Sequence, residues 1–339
     1  MSNNELTIYK KNVINNLINV YNTNASSLYS TLMINIRNIQ NSRQLVRTKQ
    51  TQINNLITQY NNNISVLKNA LNTNIQSINN FVPQKITINK NKKALLVGIN
   101  YTGTQYKLNG CINDVNSIKE RITSEGFTNI NILTDDITVK KPTRDNILNE
   151  FRNLLIHSQA GDLLLFFYSG HGSYTLDRNK DETDGYDETI IPCDFKGITD
   201  DELKSIIQTN LKENVTLVGL FDCCFSGTML DLKYQYLDSL NYDKYTENSK
   251  QLETKGNVLM ISGCTDNQTS ADAVFNNKPN GAMTWSFLET INQNKNTSSK
   301  CKWRELVKSM RDLLKKSRFT QIPQLSSGKF TDIDSEIFI

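Results

Sequence analysis

The feature that most constrains this chain is a change of texture near residue 92. Beyond it, short apolar runs at 94–99, 130–133, 163–167, 215–221 and 258–261 are interleaved with amphipathic stretches at 112–122, 144–156, 200–207, 282–291 and 303–315. Runs this short and this apolar are strands buried on both faces, and the stretches of 3.6-residue period are the helices that cover them. That order predicts an α/β fold, a mostly parallel central sheet with helices on both faces. In such sheets, reactive side chains gather beyond the carboxyl ends of the strands.

Two of those ends carry chemistry. The run 163–167 leads into Tyr168-Ser169-Gly170-His171-Gly172, and 215–221 leads into Asp222-Cys223-Cys224-Phe225-Ser226-Gly227. The chain has only two histidines, and the other, His157, sits in an ordinary helical pattern. A cysteine attacks only as thiolate, which a histidine on a neighbouring strand can generate. Side chains alternate along a strand, so Cys223 and Cys224 take opposite faces, and Cys224 with His171 is the candidate pair. Backbone N–H groups of the two turns are candidate oxyanion donors. The competing reading makes both cysteines small buried hydrophobes. A zinc site is disfavoured, because adjacent cysteines chelate poorly and no further Cys/His pair has ligand spacing.

Residues 1–81 contain no Pro and no Gly, which removes the usual helix breakers. Ile53, Ile57, Tyr60, Ile64, Leu67, Leu71, Asn74, Ile78 and Phe81 recur at spacings of three and four, a heptad seam interrupted by one Asn. The expectation is an N-terminal α-helical hairpin or coiled coil over 1–82, a linker at 83–93 and a catalytic domain over 94–339. An Asn-rich helix is marginal alone, so the arm should pack on something, whether itself, the catalytic domain or another protein. Residues 1–93 hold eleven Lys or Arg against the single acid Glu5, but the charges are spread out, so no specific nucleic-acid partner is expected. No apolar run is long enough to span a membrane. The first residues lack a secretory pattern. Six cysteines without CxxC spacing read as free thiols. Together these point to a soluble, cytoplasmic protein.

The blocks of the second region resemble the metacaspases, caspase-like cysteine peptidases. Over about 92–339 the resemblance rests, in order, on residues 94–101 (Ala94-Leu95-Leu96-Val97-Gly98-Ile99-Asn100-Tyr101), on Leu108-Asn109-Gly110-Cys111-Ile112-Asn113-Asp114-Val115, on the two strand ends, on Asp187-Glu188 and Asp200-Asp201-Glu202-Leu203, and on 262–272, which opens Ser262-Gly263-Cys264-Thr265-Asp266. It implies a caspase-like fold with His171 as general base, Cys224 as nucleophile, and cleavage of protein or peptide substrates after Arg or Lys. Asp114 and Asp222, with Ser169 beside them, match the family's S1 positions, and two carboxylates select a guanidinium or ammonium. The resemblance also implies a calcium site built from Asp187, Asp200, Asp201 and Asp231, all oxygen donors of the kind calcium takes. An EF-hand reading of the nearby acidic run fails, because Glu182 stands where the loop demands Gly.

The domain should divide into a large-subunit-like part (94–232), an exposed loop (233–256) and a small-subunit-like part (257–339), with Lys244, Lys250 and Lys255 as autocleavage points. The catalytic domain is expected to be monomeric. Phe225 departs from the family, where His usually follows the nucleophile. That departure supports an alternative, a weak or inactive metacaspase-like scaffold acting through its N-terminal helices.

Overall fold

The computed structural model describes residues 3–80, 91–136, 140–177, 185–224, 227–238, 241–248, 250–263, 272–275, 278–294, 301–337 and 339. The chain divides into two compact units, Met1–Gln84 and Lys85–Ile339.

The first unit is a pair of long helices, α1 (Asn3–Asn41) and α2 (Val46–Asn80). Lys10 Nζ donates to Asn79 O (2.6 Å), which ties the outer ends together and makes the pair an antiparallel hairpin. At the turn, Ser42 Oγ donates to Ile39 O (2.7 Å) and Lys49 Nζ to Gln40 O (2.7 Å), satisfying carbonyls left open at the end of α1. Apart from Lys49 and Gln52, the half-buried positions of α2 are Ile53, Leu56, Tyr60, Ile64, Leu67, Leu71, Ile75 and Ile78, and apart from Lys10 and Val13 those of α1 run Ile14, Leu17, Tyr21, Ala25, Leu28, Leu32, Ile36 and Ile39. Both series step by three, four and four. That is an eleven-residue period, closer to the natural pitch of an α-helix than a heptad is. The expected heptad seam is therefore corrected: Leu56 and Ile75 occupy it, while Ile57 and Asn74 are exposed.

The second unit is built on an eight-stranded sheet. Its elements in chain order are β1 (Lys92–Gly98), α3 (Cys111–Ser124), β2 (Asn129–Thr134), α4 (Arg144–Ile156), β3 (Leu163–Ser169), β4 (Gly172–Leu176), β5 (Tyr186–Ile190), β6 (Ile198–Thr199), α5 (Asp200–Asn210) and β7 (Thr216–Asp222). They continue with β8 (Tyr234–Asp238), β9 (Asn241–Glu247), β10 (Asn257–Ser262), β11 (Asp272–Phe275), β12 (Lys278–Gly281), α6 (Ala282–Asn294), α7 (Trp303–Lys316) and β13 (Gln324–Ser327). The sheet order is β2-β1-β3-β7-β10-β13-β8-β9. The strands β2, β1, β3, β7 and β10 run parallel, and β13, β8 and β9 are joined to them by antiparallel pairings.

Every residue of β3 and β7 is buried, as expected for continuous apolar runs at the centre of a parallel sheet. Alternation sends Leu163, Leu165, Phe167, Val218 and Leu220 to the face covered by α3, α6 and α7. It sends Leu164, Phe166, Tyr168, Leu217 and Phe221 to the face covered by α4 and α5. Thr143 caps α4, and Thr199 with Glu202 forms a capping box on α5, so both helices start where their sequences signal.

The exposed loop expected at 233–256 is for the most part the hairpin β8–β9, added to the sheet edge through β13. Tyr234 and Tyr236 lie on one face of β8 and are buried, and together with Tyr245 their rings pack around Phe330 at 5.3–6.2 Å. Three tyrosines supply the apolar face that Asp, Asn and Lys around them disguise. Lys244 accordingly lies within β9, whereas Lys250 and Lys255 are exposed in the segment after it.

Candidate active site

The ends of β3 and β7 are in register, with Ser169 opposite Asp222. His171 and Cys224 thus each lie two residues beyond a paired position on adjacent strands. The two turns are in close contact: a β-carbon on Gly172 would lie 2.0 Å from Cys224 O, so only glycine fits there. Cys223 is buried in the α4/α5 core, while Cys224 is half-buried. Phe225 and Ser226 lie outside the described residues, as do 264–271.

His171 is held at several atoms. Its N–H donates to Tyr101 Oη (2.9 Å), and its carbonyl accepts from Tyr168 Oη (2.8 Å) and Ile191 N (3.1 Å). Tyr101 Oη in turn donates to Ile191 O (2.5 Å). Burial pushes both phenols well above their usual range, so both keep their protons. The imidazole lies against the Tyr101 ring, centroids 4.6 Å apart. Its Nε2 is 2.7 Å from Tyr106 O. A carbonyl can only accept, so this contact assigns the proton to Nε2 and leaves the Nδ1 lone pair free to take one.

The acidic positions converge on the α3/α6 face. Asp114, in the first turn of α3, accepts from Ser169 Oγ (2.8 Å), Asn280 Nδ2 (3.0 Å) and Gly281 N (3.0 Å to each oxygen). Asp222 Oδ2 accepts from Thr284 N and Thr284 Oγ1, both at 2.8 Å. A β-carbon on Gly281 would meet both carboxylates, 2.1 Å from Asp222 Oδ2 and 2.9 Å from Asp114 Oδ2. Burial, and then the neighbouring Asp222, push the Asp114 carboxyl up to about 8 against the pull of its hydrogen bonds. Burial and the like charge of Asp222 thus favour the protonated form of Asp114.

The predicted calcium residues are brought together in part. Asp200 is buried at the start of α5, where its oxygens accept from Glu188 N (2.8 Å) and Asp201 N (2.7 Å). Burial, then Asp231 and Glu188, push its carboxyl up to about 11. Asp231 lies 3.5 Å from Lys204 Nζ, which also reaches Asp201 at 3.9 Å. Asp187 is buried on β5 beside Glu188. Among the described residues no group of three or more His, Cys, Asp or Glu side chains is arranged to hold a metal ion. Sequence reasoning missed Tyr101, Tyr106, Asn280, Gly281 and Thr284, which position the reactive groups. It also missed Glu188 as a member of the acidic cluster, although Glu188 adjoins Asp187 in the sequence.

A parallel α/β sheet that presents a histidine and a cysteine on adjacent strand ends, with paired carboxylates beside them, defines a caspase-like domain. The family description "Metacaspase, peptidase C14 domain" matches residues 92–233. Metacaspase-1 of Candida albicans is 36% identical over 295 residues, covering 70% of this chain and 65% of that protein. Metacaspase-1 of Mycosarcoma maydis is 36% identical over 293 residues, covering 72% of each. The chain belongs to the metacaspase family, and it spans about two thirds of the length of these relatives. A crystal structure of a Geobacter sulfurreducens protein shares the fold, with TM-score 0.54 and 24% identity over 74% of this chain and 98% of that one.

Proposed function

We propose that the chain is a calcium-dependent cysteine endopeptidase that cleaves after Arg or Lys. The observation that carries this reading is the β3–β7 register, which sets His171 and Cys224 on adjacent strand ends with Asp114 and Asp222 beside them. His171 Nδ1 takes the thiol proton, and Cys224 Sγ adds to the carbonyl carbon of the basic residue. In the Gly170-His171-Gly172 turn the first two amides already donate to Asp222 O and Tyr101 Oη, so the Gly172 amide is the donor assigned to the developing oxyanion. The imidazolium then protonates the departing amine, the C–N bond breaks, and water hydrolyses the thioester with His171 as base. Asp114 and Asp222 pair with the substrate guanidinium or ammonium, and an aspartate side chain would be repelled.

Asp200, Asp231 and Glu188 are the carboxyls that crowd one another, with Asp187 and Asp201 next to them in the chain, and a hard cation that takes oxygen donors would relieve that crowding once the side chains close on it. Calcium, when bound, supplies the positive charge that lets them ionise together. Thr228 Oγ1 donates to Glu188 Oε2 and so links this cluster to the segment that follows the nucleophile. Lys250 and Lys255, exposed and outside any strand, are favoured over Lys244 for autoprocessing. Among the described residues no helix is long and apolar enough to cross a membrane, and the five described cysteines are thiols, which supports a cytoplasmic location. The N-terminal hairpin, with no described residue fully buried, supports self-association.

Fluorogenic peptides ending in Arg or Asp, with calcium or chelator, on wild type and Cys224→Ala, test this. Turnover should need Arg, calcium and Cys224. Cys224-independent turnover would sink the peptidase assignment, and equal rates in chelator would sink the calcium assignment.

A further inference from the structure

The catalytic ends have two sides, and only one has a role so far. Asp114, Ser169, Asp222 and Gly281 lie on the face covered by α3 and α6. Tyr101 and Tyr168, which hold His171, belong to the opposite face with α4 and α5. On that second side two large rings stand in solvent, Tyr106 next to the histidine and Phe195 next to Tyr106 and Tyr101. Tyr106 is 53% exposed and Phe195 is 45% exposed. Their centroids are 5.6 Å apart, Tyr106 is 6.4 Å from the His171 ring, and Phe195 is 5.8 Å from Tyr101. Single exposed apolar residues are ordinary on any surface. Two in mutual contact beside a reactive imidazole are a patch. Phe195 moreover keeps a left-handed backbone (φ +59°), an unfavourable conformation for a bulky residue and one that persists where surrounding structure imposes it.

The chemistry says which part of a substrate arrives there. In the acyl-transfer step, His171 gives its proton to the amine that leaves, so the leaving half of the peptide passes over the imidazole. The basic side chain before the broken bond goes to Asp114 and Asp222 on the other face. The residue after the bond therefore comes against Tyr106 and Phe195. We propose that these two rings form the subsite for the first residue after the cleaved bond and take an aromatic or long aliphatic side chain there. The inference rests on the peptidase reading.

Internally quenched peptides that share one sequence up to Arg and then continue with Phe, Leu, Gly or Asp test it on the full chain. Wild type should cleave Arg-Phe with kcat/KM on the order of tenfold above Arg-Gly, the discrimination a hydrophobic contact of this size supplies. In Tyr106→Ala/Phe195→Gly, which keeps the carbonyl that holds His171, the ratio should fall to within about twofold. Equal rates for Phe and Gly in wild type, or a preference that survives the double substitution, would overturn the subsite. Absence of Cys224-dependent cleavage of every Arg peptide would instead defeat the peptidase reading. The subsite is then judged by fluorescence anisotropy on Cys224→Ala: the labelled Arg-Phe peptide should bind more tightly than Arg-Gly, and equal binding would overturn it.

Discussion

The domain holds two buried carboxylate clusters, Asp114 with Asp222 and Asp200 with Glu188 and Asp231, and they are satisfied in different ways. Around the first pair the donors are neutral and fixed: Ser169, Asn280, Gly281 and Thr284. Those groups leave the net charge unbalanced, which suits the substrate-recognition role proposed for the pair. In the second cluster, carboxyls face one another, and Lys204 reaches Asp231 and Asp201 from one side. Lys204 offsets only part of that charge, and the ion proposed for this cluster would offset the rest. Fixed neutral donors therefore fit the proposed recognition role, whereas mutual carboxyl contacts call for a proton or the proposed ion.

The largest effect separates the two by charge alone. Asp222→Asn keeps an oxygen for the Thr284 bonds but removes half the countercharge for the substrate. We expect kcat/KM on Arg peptides to fall roughly 100- to 1,000-fold, the scale for breaking one side of a desolvated charge pair. Any calcium response should remain. A loss of less than about threefold, measured on the same peptides, would break the assignment of this pair to substrate recognition.

A smaller effect follows from the proton on Asp114. Its folded-state pKa is raised from 3.8 to about 8, so between those values the folded chain binds a proton that the unfolded chain releases. This group's stabilisation is therefore full below the lower value and is lost as pH rises through about 8. Substrate binding runs the opposite way, because the guanidinium must displace the proton. KM for an Arg peptide should rise by up to about tenfold per pH unit as pH falls below 8, with a weaker effect on kcat. Steady-state kinetics from pH 6 to 9 check this, and a flat KM would show that the pair is already ionised.

Much of this was legible in the sequence. The strands β3 and β7 are unbroken apolar runs, and they end in the only histidine outside a helical pattern and in the Cys-Cys pair. The groups that position them were not legible. Tyr101 and Tyr106 act on His171 through a hydroxyl and a backbone carbonyl, contacts that leave no spacing pattern. Gly281 and Thr284 reach Asp114 and Asp222 only because β12 folds back before α6, and neither residue type signals chemistry. In α2 the heptad and eleven-residue periods differ by one position per few turns, so Ile57 and Leu56 were interchangeable until the packing chose Leu56. The hairpin β8–β9 was hidden because its apolar face is made of tyrosine, which average hydropathy counts as nearly polar.

The smallest effect tests whether the second cluster is independent of the first. Asp200→Asn supplies the shape of a protonated Asp200, which is the state its environment already favours without metal. The amide offers one acceptor where Glu188 N and Asp201 N now use two, so a cost of about 1 kcal/mol is expected in chelator, a drop of roughly 2–4 °C. The response to calcium is the sharper reading. At a hundredfold excess over Kd, a ligand that binds only the folded chain stabilises it by about 2.7 kcal/mol. For a domain of this size that is a rise of roughly 5–10 °C in Tm. Wild type and Asp222→Asn should both show that rise by scanning calorimetry, and Asp200→Asn should not. If Asp222→Asn loses it as well, the two clusters act as one site, and the distinction between a recognition pair and an ion cluster fails.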